Sequence, residues 1–239
     1  MKIVLIQSGS DHEAVVLCSL LIGLHKKWPG CQITWAGNPK FFELIKYNRR
    51  VKQCVDINQE LSFSDLSTFY GTDLCINPSN TKSAKKFVLS VSSKQYLGFT
   101  KKGAADRHAE FFGRVISGDI TTHKTILDLY FALAGLKWSG EGYGLSYYPR
   151  KRQENGDGTY LSQNVDIKNA LPIRLPDNIL RKLDAINQFK EIHTDDLFVA
   201  HVGIALRKII HFYADLPYEL EFFKKGKRVK EKKVEDLNI

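Results

Sequence analysis

The sequence predicts an α/β protein with a doubly wound, mainly parallel sheet, followed by a reduced second α/β region. Three observations lead to this prediction. The chain opens with a strand, a loop, a helix and a second strand, short apolar segments then alternate with amphipathic ones, and the composition changes near residue 150. Strands that alternate with helices favour a parallel sheet with helices on both faces. With 239 residues, 43% of them hydrophobic, the chain can bury a core in one large domain or two modest ones.

The opening of the chain carries the clearest pattern. Residues 2–6 form a short apolar run rich in β-branched side chains, which is typical of a strand buried on both faces. A polar loop over 7–13 follows, apolar residues then recur at helical spacing until Pro29, and a second strand is predicted at 32–36. In a Rossmann-like βαβ unit of this kind, ligands bind beyond the carboxyl ends of the strands. The polar residues that can contact a ligand there are Ser8, Ser10, Asp11, His12 and Glu13.

The same alternation continues to residue 136. The predicted elements are a helix over 39–47, a strand over 51–57, one or two helical turns over 61–69, a strand over 73–76, a helix over 81–91, a strand over 95–99 and a helix over 122–136. Between the last two lies a charged stretch that is typical of a solvated surface loop. Its basic residues are Lys101, Lys102, Arg107, His108 and Arg114.

A charged, glycine-containing segment over 149–158 marks the predicted domain boundary. We therefore predict a first lobe over 1–149, a shortened second lobe over 150–223 and a basic, frayed tail over 224–239. The second lobe is expected to contain a helix over 177–189 capped by Asp177, a strand over 190–194, a helix over 198–206 and a final strand over 208–213.

Charge and cysteine content narrow the function classes. The net charge of +9, from 35 basic and 26 acidic residues, favours an anionic partner such as a phosphorylated substrate, a membrane surface or nucleic acid. Nucleic acid is the least favoured partner because the chain has neither a known reading motif nor a ladder of basic and aromatic residues. The four cysteines lie far apart, which indicates reduced core residues in a cytoplasmic protein. We predict no metal site and no cofactor, and neither secretion nor membrane insertion is indicated.

Several segments, in their order along the chain, resemble the heptosyltransferases, the GT-B glycosyltransferases that build the inner core of bacterial lipopolysaccharide. These segments are the opening strand, loop and helix, the stretch 73–83 (DLCINPSNTKS), the strand Tyr96-Leu-Gly-Phe99, the helix ending at Leu136 and the stretch 194–206, which is similar to the family pattern D-T-G-x-x-H-x-x-A-A-L. Asp196 and His201 keep the five-residue separation of that pattern.

The resemblance implies a glycosyltransferase with a nucleotide-sugar donor and a glycan or glycolipid acceptor. The family base is an aspartate at the end of the first loop; here Glu13 stands at that position, with Asp11 as a competing candidate. A carboxylate can accept the acceptor's hydroxyl proton, and Glu13 is expected to be ionised at neutral pH. The acceptor-binding candidates are Ser8, Ser10, His12, Asn77, Ser79, Asn80 and Lys82, and the donor-binding candidates are Asp196 and His201. The resemblance also implies that the charged stretch between residues 101 and 114 contacts an acidic, phosphorylated acceptor.

Each candidate also has a purely structural interpretation. Glu13 can be an exposed first-turn carboxylate favoured by the helix dipole, and the aspartates at 195 and 196 can form a helix cap. His201 can be a core histidine, and residues 77–82 can be an ordinary loop. The basic tail can be a solvated chain end, or it can contact an anionic inner-membrane surface.

The second lobe departs from the family pattern. Leu197 and Phe198 stand where the family has Thr-Gly, whose bare backbone amides hold the donor's pyrophosphate at a helix N-terminus. The segment before residue 177 is also too short for the several βα units of a complete nucleotide-sugar lobe. A second hypothesis is therefore a degenerate, non-catalytic relative that binds a glycan or a partner transferase.

Overall fold

The computed structural model describes residues 1–100, 107–117, 119, 124–147, 159–161, 173–213 and 229–231. The chain divides into two units, Met1–Ser146 and Tyr147–Ile239. The boundary predicted over 149–158 lies outside the described residues and stays a prediction.

A five-stranded parallel sheet forms the centre of the first unit. Its strands are β1 (Lys2–Gln7), β2 (Gln32–Gly37), β3 (Val51–Asp56), β4 (Thr72–Asn77) and β5 (Ser93–Gly98). They are hydrogen-bonded in the order β3-β2-β1-β4-β5, and all four neighbouring pairs are parallel. The predicted α/β class with a doubly wound parallel sheet is confirmed.

The helices of this unit follow the predicted order. They are α1 (Asp11–Lys27), α2 (Phe42–Ile45), α3 (Phe63–Phe69), α4 (Lys82–Val88), α5 (Arg107–Ile116) and α6 (Ile126–Leu133). The segment predicted as one helix over 39–47 is a single 3-10 turn, Pro39–Phe41, followed by α2. A capping box between Thr125 and Asp128 starts α6.

The surface-loop interpretation of the charged stretch is wrong for residues 107–116, which form α5. Ala109, Phe112 and Val115 recur every three residues and are buried, whereas Glu110 and Arg114 are exposed, so that α5 packs as an amphipathic helix. The ring of Phe112 lies 4.8 Å from that of Tyr130 in α6, in an edge-to-face arrangement. Lys101 and Lys102 lie outside the described residues.

The core of the first unit is built on β1, as the apolar opening of the sequence predicts. Ile3, Val4, Leu5 and Ile6 are each at most 2% exposed because helices cover both faces of the sheet. Burying one such side chain contributes about 1.5–3 kcal/mol.

The second unit contains a four-stranded parallel sheet in the order β6-β7-β8-β9. Within the described part of this unit, the strands are β6 (Thr159–Leu161), β7 (Glu191–Thr194), β8 (Ile209–Phe212) and β9 (Val229–Glu231), and the helices are α7 (Ile179–Asn187) and α8 (Leu197–Ala205). Gly203 lets α8 lie close to this sheet, since a Cβ at that position would be 2.4 Å from Ile210 Cδ1 and 2.8 Å from Ile192 Cδ1.

Three predictions for this unit are corrected. The N-cap of α7 is Asn178, whose side-chain oxygen accepts hydrogen bonds from two backbone N–H groups, and not Asp177. Residues 208–213 do not contain the final strand, because β9 follows β8. The frayed-tail prediction is wrong for residues 229–231, which pair with β8.

No helix within the described ranges is both long enough and apolar enough to cross a bilayer.

Candidate active site

The sheet order places two polar loops side by side. β1 lies between β2 and β4; the chain leaves β1 toward β2 through α1, whereas it leaves β4 toward β5 through α4. The connections therefore run in opposite directions at the β1/β4 pair, which is the switch point where open α/β sheets bind ligands beyond their carboxyl edge. The loops that follow β1 and β4 carry most of the predicted acceptor-side residues.

Glu13 is buried between these loops. It lies in the first turn of α1, and it is only 5% exposed. Its Oε1 accepts a hydrogen bond of 2.6 Å from the Ser79 hydroxyl, and the Gly9 backbone N–H donates to the same carboxyl group. A Cβ on residue 9 would lie 1.4 Å from Glu13 Oε2, so the missing side chain of Gly9 makes the room that the carboxyl group occupies.

Burial raises the pKa of Glu13 to about 7, because removal from water penalises the charged form. The hydrogen bonds from the Ser79 hydroxyl and the Gly9 backbone N–H favour the charged form but do not cancel this effect. The expectation of a fully ionised carboxylate at neutral pH is therefore corrected, since protonated and ionised forms coexist near pH 7. The interpretation of Glu13 as an exposed first-turn carboxylate is also wrong.

A set of hydroxyl groups surrounds this carboxyl group. The Ser8 backbone N–H donates to Ser79 Oγ at 3.1 Å, and the Ser8 hydroxyl is hydrogen-bonded to the hydroxyls of Thr81 and Ser83, the latter at 2.8 Å. Thr81 also caps α4 by accepting a hydrogen bond from the Ala84 backbone N–H. This network joins the loop after β1 to the loop after β4.

The loop after β4 is anchored from a neighbouring strand. Asn77 Nδ2 donates to the Phe99 carbonyl oxygen at 2.7 Å, while Asn77 Oδ1 accepts from the Ser79 backbone N–H at 3.1 Å. Gly98, at the end of β5, has a φ of +86°, and a Cβ there would lie 2.1 Å from the Asn77 carbonyl oxygen. Both ends of the Asn77 amide are used within the protein, so Asn77 positions Ser79.

The other predicted residues of the first loop lie on the surface. Asp11 forms an ion pair with Lys40 at 2.5 Å, and its side chain is 40% exposed. Ser10 Oγ and His12 Nε2 are 3.1 Å apart. The structure therefore separates the two candidate bases, because Glu13 points into the hydroxyl network while Asp11 points toward Lys40.

A pocket of about 310 Å³ lies beside the β4 loop. It is lined by the predicted residue Asn80, by Lys85 of α4, and by Glu110, Arg114 and Asp119, among others. Two cations and two carboxylates therefore face this space, together with the apolar ring of Phe99. Lys82 is exposed at the first position of α4.

In the second unit, the predicted donor residues occupy structural positions. Asp196 is the N-cap of α8, and its Oδ1 accepts hydrogen bonds from the backbone N–H groups of Phe198 at 2.7 Å and Val199 at 3.3 Å. These are the N–H groups that a phosphate at this helix end would need. Phe198 is buried, and His201 is 0% exposed within α8. The donor-binding roles of Asp196 and His201 stay predictions.

Sequence reasoning missed Gly9, Thr81, Ser83 and Lys85. Thr81 had a recognisable signal, because a threonine before a helical segment is a preferred N-cap. Lys85 follows it by one helical turn, and the spacing of Ala109, Phe112 and Val115 could have revealed α5. Gly9 had no signal, since its role depends on where the Glu13 carboxyl group folds back.

Comparisons with known proteins identify the fold. No model of a protein family and no curated protein matches the chain in sequence. Among solved structures, a glycosyl transferase family 9 protein from Veillonella parvula is similar with a TM-score of 0.63 and 13% identity, over 98% of this chain and 86% of that chain. An E. coli heptosyltransferase with ADP-2-deoxy-2-fluoro heptose has a TM-score of 0.59 and 11% identity, over 97% and 93%.

The E. coli ADP-heptose lipopolysaccharide heptosyltransferase II also has a TM-score of 0.59, with 12% identity over 97% of this chain and 90% of that chain. At 11–13% sequence identity, the structural similarity to these proteins establishes the fold alone. The resemblance predicted from the sequence is thus confirmed at the level of structure: the chain has the GT-B-type fold of the heptosyltransferases.

Proposed function

We propose that this protein is a glycosyltransferase of the heptosyltransferase type, which transfers a sugar from a nucleotide-sugar donor to a glycan or glycolipid acceptor of the cell envelope. The observation that carries the proposal is the Glu13 carboxyl group, which is buried and hydrogen-bonded at the carboxyl edge of the first sheet, and whose pKa is about 7. A carboxyl group with a shifted pKa at the carboxyl edge of a parallel sheet is more often part of a functional site than a carboxyl group with an ordinary pKa on the surface is.

The chemistry assigned to Glu13 is general base catalysis. As an acceptor hydroxyl oxygen forms a bond to the anomeric carbon, the bond from that carbon to the nucleoside diphosphate breaks, and the hydroxyl proton passes to the Glu13 carboxylate. A base whose pKa lies near the working pH combines a useful fraction of the ionised form with a strong tendency to accept a proton. Attack from the side opposite the leaving group inverts the anomeric configuration.

The acceptor is assigned to the first unit. Ser8, Ser79 and Asn80 offer hydrogen-bonding groups at the β1 and β4 loops, and Lys85 and Arg114 line the neighbouring pocket. Cations beside hydroxyl groups suit a phosphorylated sugar, because a phosphate accepts charge-assisted hydrogen bonds from lysine and arginine. The net charge of +9 also favours an anionic acceptor, at a cytoplasmic site that can include the inner-membrane surface.

The donor is assigned to the nucleotide sugars, with an ADP-sugar as the first choice. The fold neighbours include an E. coli heptosyltransferase solved with ADP and with ADP-2-deoxy-2-fluoro heptose. Asp196 and His201 match the family pattern, and they remain the proposed donor-side residues.

The test combines binding with turnover. The full chain is titrated with ADP and with UDP by calorimetry, and transfer from ADP-heptose to a lipopolysaccharide core acceptor is followed by release of ADP. We expect ADP binding and turnover, and we expect Glu13→Gln to lower the transfer rate by about 10²–10⁴-fold while sparing ADP binding. Undiminished turnover by this variant would remove Glu13 from the mechanism.

A second candidate function is supported by the start of α8. Asp196 already occupies the backbone N–H groups of Phe198 and Val199, and the side chain at 197 is a leucine rather than a hydroxyl-bearing threonine. This arrangement fits a non-catalytic relative that retains the acceptor side and binds a glycan or a partner transferase.

The same titration separates the two candidates. Heat on adding ADP or UDP supports the transferase. A chain that gives no heat with either nucleotide but binds a phosphorylated core oligosaccharide supports the non-catalytic relative, because only the acceptor side would then be functional.

A further inference from the structure

Three side chains that can ligate a metal lie together on the second sheet. Glu191 and His193 are two residues apart on β7, so their side chains point to the same face of the strand. His211 on β8 lies directly opposite His193 in the parallel register. Residues 192 and 210, which alternate with these three, instead point to the face that α8 covers. The register of two neighbouring strands therefore collects two imidazoles and one carboxylate.

The distances within this group suit a small cation. One ligand atom from each residue can be chosen so that all three lie within 4.8 Å of one another. His211 Nε2 lies 3.3 Å from Glu191 Oε2, and the two imidazole rings stack with their centroids 4.2 Å apart. Two ligand atoms bound to the same tetrahedral Zn²⁺ at about 2.1 Å are about 3.4 Å apart. The pair His211 Nε2 and Glu191 Oε2 thus already has the separation that a shared Zn²⁺ requires.

We propose that Glu191, His193 and His211 bind a transition-metal cation of the Zn²⁺ class. Two imidazole nitrogens and one carboxylate oxygen form a ligand set that Zn²⁺ accepts in proteins, with a fourth position left for water or another group. The hard cations Mg²⁺ and Ca²⁺ prefer oxygen ligands and would be poorly held by two imidazoles. This inference does not depend on the proposed transferase activity.

The surroundings hold the ligands in place. The Tyr213 hydroxyl and His193 Nδ1 are 2.6 Å apart, a hydrogen bond that fixes the orientation of the His193 ring, as second partners of metal-bound histidines do. His211 is only 6% exposed, whereas the Glu191 side chain is 39% exposed. The site therefore has one buried imidazole, one imidazole oriented by a hydrogen bond and one partly exposed carboxylate.

The sequence offers only a weak signal for this site. A Glu-x-His pattern on one strand is common, and the third residue follows His193 by eighteen positions in the sequence. The sequence-based prediction of no metal site does not account for which strands pair. It is the pairing of β7 with β8 that brings His211 to His193.

The experiment titrates the metal-stripped full chain with ZnCl₂ by calorimetry and measures bound zinc after gel filtration, with MgCl₂ as the comparison cation. We expect one zinc per chain and no heat with Mg²⁺. His211→Asn and His193→Asn should each weaken zinc binding at least about tenfold. The matched control is His25→Asn. His25 Nδ1 lies 3.5 Å from the Cys31 sulfur, and the substitution removes this competing zinc-binding pair from the first unit.

Two further variants test the zinc site if His211→Asn fails to fold. Glu191→Gln replaces a partly exposed carboxylate by an amide of equal size, and it should weaken zinc binding while leaving circular dichroism unchanged. Tyr213→Phe keeps all three ligands and should weaken zinc binding less than Glu191→Gln does. Zinc binding that survives every change in the second sheet, or that disappears in His25→Asn, would overturn the proposal.

Discussion

Two strand–loop–helix units of this molecule use an acidic residue at the helix start in opposite ways. After β1, the N-cap Ser10 makes no side-chain cap hydrogen bond, and Glu13 is buried against the Ser79 hydroxyl of another loop. After β7, the exposed Asp196 accepts hydrogen bonds from two backbone N–H groups of its own helix. The local topology is the same, yet one carboxyl group serves the helix and the other does not.

The difference shows how a structural carboxylate can be distinguished from a candidate for chemistry. A capping carboxylate satisfies N–H groups that would otherwise lack partners, and solvent helps to keep it ionised. A buried carboxyl group with a raised pKa makes the folded state less stable in its ionised form, and such a cost is common at functional sites. Glu13 is therefore the proposed base of the first unit. The Asp196 carboxylate caps α8, and its donor-side role at that helix end stays a proposal.

The largest effect is expected from Gly9→Ala. Because a Cβ would lie 1.4 Å from Glu13 Oε2, the carboxyl group must leave its present position. A displacement of about 1 Å in a catalytic group lowers rates by about 100-fold, and we expect at least that loss in the transfer assay. Gly142→Ala is the matched control, since a Cβ at Gly142 meets nothing within 4 Å. Equal rates for the two variants would show that Gly9 does not position Glu13.

The next effect concerns stability and pH. The pKa of Glu13 is about 7 in the folded protein against an ordinary value of 4.5, so the unfolded chain loses this proton first and wild-type stability falls as pH rises between these values. Glu13→Gln lacks this titration. Its free energy of unfolding relative to wild type should therefore rise by up to about 3 kcal/mol from pH 4 to pH 8.

Urea denaturation of both proteins at several pH values measures this difference. A difference that does not change with pH would mean that Glu13 titrates normally, and the contrast with Asp196 would then be lost.

A smaller effect separates the two helix starts directly. Asp196→Ala removes a cap that accepts two hydrogen bonds and should lower the free energy of unfolding by about 1 kcal/mol. Ser10→Ala at the corresponding position of α1 should change it much less, because the Ser10 side chain makes no cap hydrogen bond. Chemical denaturation at neutral pH provides the comparison. A larger loss of unfolding free energy for Ser10→Ala would show that Ser10, and not Asp196, is the more important cap.

The smallest effect is expected from Asp11→Asn. Its ion pair with Lys40 lies at the surface, where such pairs contribute about 0–1 kcal/mol. Because Asp11 points away from the hydroxyl network, most of the transfer rate should remain, in contrast to Glu13→Gln. If Asp11→Asn lost transfer and Glu13→Gln kept it, Asp11 would be the base.

The fold was predictable where one periodicity dominates. The apolar run 2–6 and the helical spacing up to Pro29 led to β1 and α1 with errors of a few residues at most. The short strands β6 and β9 were missed, because three residues carry too little pattern for detection. The helix α5 was missed because the basic residues around it drew attention to charge, although Ala109, Phe112 and Val115 recur at helical spacing.

The site was predictable only in part. The position of polar residues after strands pointed to the β1 and β4 loops, and the structure joins them through Ser8 and Ser79. The burial of Glu13 was not predictable, because it depends on the space that Gly9 leaves and on a hydroxyl sixty-six residues away. The group of two histidines and Glu191 likewise depends on strand pairing, which spacing along the sequence does not specify.

Gly98 sets a limit on how this protein can change. With a φ of +86° and the Asn77 carbonyl oxygen 2.1 Å from where a Cβ would stand, no larger residue fits at this bend. In a library with every substitution at positions 78–83 and 98, we expect many of the variants with a change at 78–83 still to fold. Almost no variant with a change at residue 98 should fold, because only the hydrogen atom of a glycine fits between the end of β5 and the end of β4.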